Sequence, residues 1–129
     1  MSAAEMAPPG RARAIAFLIL KIVLALLFLA AGCFKLIGAP MMVAEFNRVG
    51  LGQWFRIFTG TTEIVGALLL LLPAATGVGA SLLTCVCVGA FLAQWQILHG
   101  DVIHALVLIA ILGSIAWTQR KATMSRLFG

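Results

Sequence analysis

Four long apolar stretches, near residues 14–38, 57–72, 77–98 and 102–118, take up most of this chain. Polar residues interrupt them mainly near one end of each stretch. About 20 apolar residues in a helix cross the ~30 Å hydrocarbon core of a bilayer, so each stretch can span, the second only just. Lipid offers backbone groups no hydrogen bonds, which leaves helices or a closed barrel. Barrel strands alternate and need only ~10 residues, so runs this continuous predict helices. The expected fold is all-α: an antiparallel four-helix transmembrane bundle over 14–118, between a disordered tail (1–13) and a basic tail (119–129).

The connection 39–56 is the only long one. Pro40 suits the start of a short helix and Gly50 its end. Between them Met42, Phe46 and Val49 recur at helical spacing, with Glu45 and Arg48 on another face. A short amphipathic interfacial helix is therefore expected between helices 1 and 2. Trp54 and Arg56 follow as interfacial anchors and as a candidate lid. The remaining connections are tight, at 73–77 and at His99-Gly100-Asp101, with Gly100 expected at a helix end and Asp101 as an N-cap. Short connections make neighbouring helices antiparallel. Gly89 with Ala93, and Ala110 with Ser114, have the four-residue spacing of close helix contacts.

Composition agrees: 63% of residues are hydrophobic and 10% charged, against about 25% charged in soluble proteins. A net charge of +5 would suit nucleic acid if it were clustered, but the basic residues sit at span ends instead. Arg11, Arg13, Arg120, Lys121 and Arg126 gather on one side; Lys35, Arg48 and Arg56 lie on the other. Five against three places both termini in the cytoplasm by the positive-inside rule. Basic residues followed by an apolar stretch and Ala30-Ala31-Gly32-Cys33 imitate a lipoprotein signal. The stretch is too long for one, however, and contains Lys21.

Lys35, Glu63, Gln94, Asp101 and His104 are the candidate site. An ionisable group at the bilayer centre costs at least ~2.5 kcal/mol, so it faces protein or water rather than lipid. Antiparallel order brings Lys35, Glu63, Gln94 and His104 to similar depth in the outer half of the membrane. Gly60, Gly66 and Ala67 share a helix face with Glu63, so it is expected to point inward. A carboxylate buried there either pairs with a cation or takes up a proton. Lys35 is the best-placed cation and Arg56 the second, although Lys35 at its helix end can also snorkel outward. The pair serves either as a register-fixing ion pair or, in a functional role, as an anchor for a polar headgroup or a proton-transfer acid.

Asp101 can orient His104 three residues on, and His104 with Gln94 can offer hydrogen bonds to a quinone carbonyl or another small ligand. His99 falls on a different face from His104, which argues against a two-histidine metal or haem site. Cys85 and Cys87 point to nearly opposite sides, and Cys33 lies at another depth, so the three cysteines read as small buried apolar residues. No standard catalytic motif is present in the sequence.

The string from Ala30 to Pro40, with Gly50-Leu51-Gly52-Gln53-Trp54-Phe55-Arg56 and Thr59 to Leu68, resembles the bacterial DoxX-like family. The resemblance covers about 15–117 and is strongest before Pro73. It implies a four-span bacterial inner-membrane protein in which Lys35 and Glu63 match the family's polar positions. Relatives in that family include a subunit associated with thiosulfate:quinone oxidoreduction, a partner in a membrane redox complex and distant chaperone-like proteins. The expectation drawn from all this is an accessory or small-ligand-binding membrane protein. A quinone-linked redox subunit and a membrane assembly factor stand as alternatives.

Overall fold

The computed structural model describes residues 9–100 and 102–128, and Asp101 lies outside them. Among the described residues six helices follow one another: α1 (Pro9–Leu36), α2 (Pro40–Val49), α3 (Gln53–Leu71), α4 (Thr76–Ala93), α5 (Ile103–Thr118) and α6 (Arg120–Phe128). A π-helical segment, Gln94–Leu98, extends α4. The fold is an all-α bundle with no strand among the described residues. Three helices are long and apolar enough to cross a membrane: α1, α3 and the run Thr76–Leu98. The apolar α5 has 16 residues, or about 24 Å of helix.

The α1 helix begins at Pro9, so its first turns include residues expected to belong to a disordered tail. At the other terminus the basic segment is helical as well. It folds back on the start of α4, where Gln119 and Thr123 crowd Gly77. The expected interfacial helix is present as α2, opened by Pro40 and closed by Gly50 in the left-handed conformation (φ 84°).

Neighbouring helices meet at glycines. A Cβ at Gly32 would stand 2.7 Å from Ile64 and 2.8 Å from the Gly60 carbonyl, so α1 and α3 touch backbone to backbone. A Cβ at Gly79 would stand 2.5 Å from the Leu70 nitrogen and 2.8 Å from the Gly66 carbonyl, which locks α4 against α3. The expected contact pairs behave otherwise. Gly89, Ala110 and Ser114 are exposed, and a Cβ at Gly89 would meet nothing within 4 Å. Four-residue spacing marks a smooth helix face, but only the neighbouring helix decides whether that face is covered.

Leu24, Ala25 and Phe28 of α1 pack with Ala67, Leu70, Ala80, Leu83, Leu112 and Ile115 from the other three long helices. Most of this core lies toward the end of the bundle that carries the α3–α4 turn and α6, here the tail end. At that turn the buried Thr76 hydroxyl donates to the carbonyls of Leu70 (3.1 Å) and Leu72 (3.0 Å). The Leu70 carbonyl is among the last of α3, which lack partners within the helix, and the Leu72 carbonyl also accepts from the Ala75 nitrogen at 2.9 Å. Large apolar side chains such as Leu18, Ile22, Leu26 and Leu68 point away from the protein, as lipid-facing residues do.

Candidate functional site

At the opposite end the long helices leave a cleft of about 560 Å³ between α3 and α4. It starts beyond the Gly66–Gly79 contact and is roofed by Met42, Glu45, Phe46 and Val49 of α2. Its α3 wall is Phe55, Phe58, Thr59, Thr62 and Glu63, and its α4 wall includes Leu82, Cys85, Val86, Gly89 and Ala93. Both walls repeat at three and four residues, so each is one helix face.

The roof is tied down by polar contacts. Arg48 donates to the Leu98 carbonyl at 3.2 Å. Gln53 Nε2 donates to the Val43 carbonyl (3.2 Å) and to Asn47 Oδ1 (2.7 Å). Buried Phe46 tilts against Phe55 with ring centroids 5.9 Å apart, and Phe55 stacks on Phe58 at 6.3 Å.

Four of the five residues expected at the site line this cleft: Lys35, Glu63, Gln94 and His104. The fifth, Asp101, lies outside the described residues. Lys35 Nζ stands 2.9 Å from Glu63 Oε1, with side chains 13% and 5% exposed. The ammonium therefore turns inward instead of snorkelling. The reason lies above it: the Arg56 guanidinium donates to the Lys35 carbonyl and to Gln53 Oε1 (2.8 Å). A cation over the last turn of α1 suits the carbonyl end of that helix. Arg56 is thus engaged with the backbone, leaving Lys35 as the partner of Glu63.

The expectation of equal depth needs adjustment. Glu63 stands at the middle of the 19-residue α3, about 15 Å along from its first residue. Lys35 reaches it because Gly60 lets α1 come close: a Cβ at Gly60 would stand only 2.9 Å from Lys35 Cβ. The ammonium then extends one turn deeper, to Glu63. Gln94 and His104 lie nearer the mouth, at the start of the π-helical segment and in the first turn of α5.

One hydrogen-bonding position at the site is left over. Glu63 Oε2 is buried and has no hydrogen-bond partner among the described residues. The threonines beside it do not fill the gap. Thr59 and Thr62 donate to the Phe55 and Phe58 carbonyls of their own helix, each at 2.8 Å.

Trp54 is 64% exposed and absent from the cleft lining. From the same connection it is Met42, Glu45, Phe46 and Val49 of α2 that line the cleft. Gly100 is not the residue that ends the third long helix. His99 takes the left-handed position (φ 52°), and the Gly100 nitrogen bonds back to the Gln94 carbonyl at 3.0 Å. Gly100 is small for a different reason, because the Gln94 side chain folds over it. The π-helical form of this turn, a geometry common at functional sites, carries no clear sequence signal.

Sequence reasoning also missed the aromatic wall and the inward face of Glu45. The spacing of Phe55, Phe58, Thr59, Thr62 and Glu63 contained the first of these. Among the cysteines, Cys87 is buried as expected, whereas Cys33 and Cys85 are exposed and Cys85 faces the cleft. Lys21 is another surprise: it is 7% exposed, with its ammonium 5.0 Å from the Phe17 ring centre.

Comparison with known proteins supports the resemblance seen in the sequence. The model of the DoxX-like family matches residues 19–118. No match was found among curated proteins or among solved structures.

Proposed function

This multi-pass membrane protein belongs to the DoxX-like family, and from that premise we propose that it is an accessory or small-ligand-binding protein rather than an enzyme. The bound molecule is a small amphiphile held in the cleft under α2. The observation that carries this reading is the buried, unpartnered Glu63 Oε2 in the wall of an otherwise largely apolar cleft. An unsatisfied buried acceptor costs about 1–3 kcal/mol, a cost that a ligand donor would offset. Sites for small molecules commonly combine an apolar lining with a few placed polar groups.

Native mass spectrometry of the gently extracted protein tests this proposal. A co-purified lipid, quinone or other amphiphile is expected, with lower occupancy in Glu63→Gln and His104→Ala. Phe46→Ala is expected to speed loss of the molecule, since it thins the roof over the cleft. Unchanged occupancy in all three variants, with lowered thermal stability, would leave the polar cluster as a register-fixing core. Recovery of a quinone together with a soluble redox partner would favour the quinone-linked subunit reading instead.

We further propose a bacterial inner-membrane location with both termini in the cytoplasm, supported by the basic residues at the start of α1 and after α5. Reporters fused after Gly129 or after Ala75 are expected to read cytoplasmic, and those within 44–53 exterior. An exterior C-terminus would reverse the orientation and turn the cleft toward the cytoplasm.

A further inference from the structure

Resting on the ligand-binding reading above, we propose that the cleft selects an amphiphile whose head is a protonated amine, and that it discriminates against anionic heads. Three observations converge on this chemistry. The position left open is an acceptor, Glu63 Oε2, whose side chain is only 5% exposed. Oε1 of the same carboxylate is already held by Lys35, so the ion pair is neutral as a unit and its second oxygen is the one left for a donor. The lining also contains a second carboxylate, Glu45 on the roof, which forms no ion pair among the described residues. Finally, Phe55 and Phe58 present stacked rings along the α3 wall, and aromatic faces attract cations.

These features separate the three kinds of head. An ammonium has only donors, which matches an open acceptor and the excess of carboxylates over Lys35. A hydroxyl also donates, but gains nothing from the second carboxylate or from the ring faces. An ionised phosphate or carboxylate head has only acceptors to set against the open oxygen of Glu63 and would bring its charge beside Glu45 in a setting of low dielectric, where like charges repel strongly. Oε2 is buried, so contact requires the Glu63 carboxylate to shift toward the cleft until one oxygen faces the head while Lys35 keeps the other.

Octylammonium, octanol and octyl phosphate share one tail and differ only at the head. Their binding to the full chain in uncharged maltoside micelles is measured by calorimetry, with empty micelles subtracted. Octylammonium is expected to bind at least ten-fold more tightly than octanol, and octyl phosphate more weakly than either. Glu45→Gln should reduce the amine preference several-fold without touching the buried pair, and Glu63→Gln should abolish it. Because Glu63→Gln alone could disturb folding, the Glu45→Gln result decides the question independently.

Equal binding of amine and alcohol, or a preference for octyl phosphate, would overturn the amine selection while leaving a ligand cleft in place. Absence of binding by all three, with no molecule recovered by native mass spectrometry, would overturn the ligand-binding reading itself.

Discussion

Replacing Glu63 by leucine is expected to cost about 3–5 kcal/mol of stability, the range for breaking a buried ion pair from one side. The loss is large because of what stays behind. Lys35 points inward from a side chain only 13% exposed, and Arg56 occupies the space over the end of its helix. An ammonium left without Glu63 has another cation where its exit would be. Lys35→Met should cost less, about 1–3 kcal/mol, because the abandoned carboxyl can neutralise itself by binding a proton.

The double variant should recover much of the loss, since an apolar pair of similar volume often serves as well as a buried ion pair. Equilibrium unfolding in detergent measures all four proteins. A coupling of about 0.5–3 kcal/mol is the signature of contact. Additive single-site losses would show that the two residues stabilise the bundle independently.

The glycine contacts give the second large effect. Gly79→Ala is expected to lose at least about 1–3 kcal/mol, the cost of overpacking a fitted interior. Its new methyl group would meet the Leu70 nitrogen and the Gly66 carbonyl, and backbone cannot swing aside as a side chain can. Gly113→Ala, also in a helix, should instead gain about 0.5–1 kcal/mol by limiting the unfolded chain, because nothing lies within 4 Å of its added Cβ. Thermal unfolding of both variants in one detergent checks the contrast. Similar shifts for the two would mean that α3 and α4 are not in backbone contact.

These residues also show what could be read from the sequence. The apolar stretches announced the long helices because lipid forces hydrogen bonds inside each segment. The inward direction of Glu63 was legible from Gly60, Gly66 and Ala67, since a carboxylate among small residues has no favourable direction but the interior. Gly89 and Ala110 carry the same local pattern with the opposite outcome: one lines the cleft and the other stays uncovered. Their difference lies in where the next helix runs, which is information from the whole fold.

Trp54 illustrates a related limit. Its position at the start of a span suggests a residue over the cleft, but the rotation of α3 turns the indole outward and gives the cleft to Phe55 and Phe58. The burial of Lys21 had no local signal at all, because the side chain is covered only once the bundle is assembled.

The wide turn Gln94–Leu98 acts as a phase insertion. A regular helix advances about 100° per residue, whereas a bulge absorbs an extra residue and leaves the faces before and after it undisturbed. Removing one residue here would let the helix tighten to the regular form with the Leu98 carbonyl still on the face that accepts from Arg48, so the end of α2 would stay tied. The packed tail half lies several turns away and would keep its register. A length change of a single residue can therefore be absorbed at the rim of the cleft while the bundle keeps its fold.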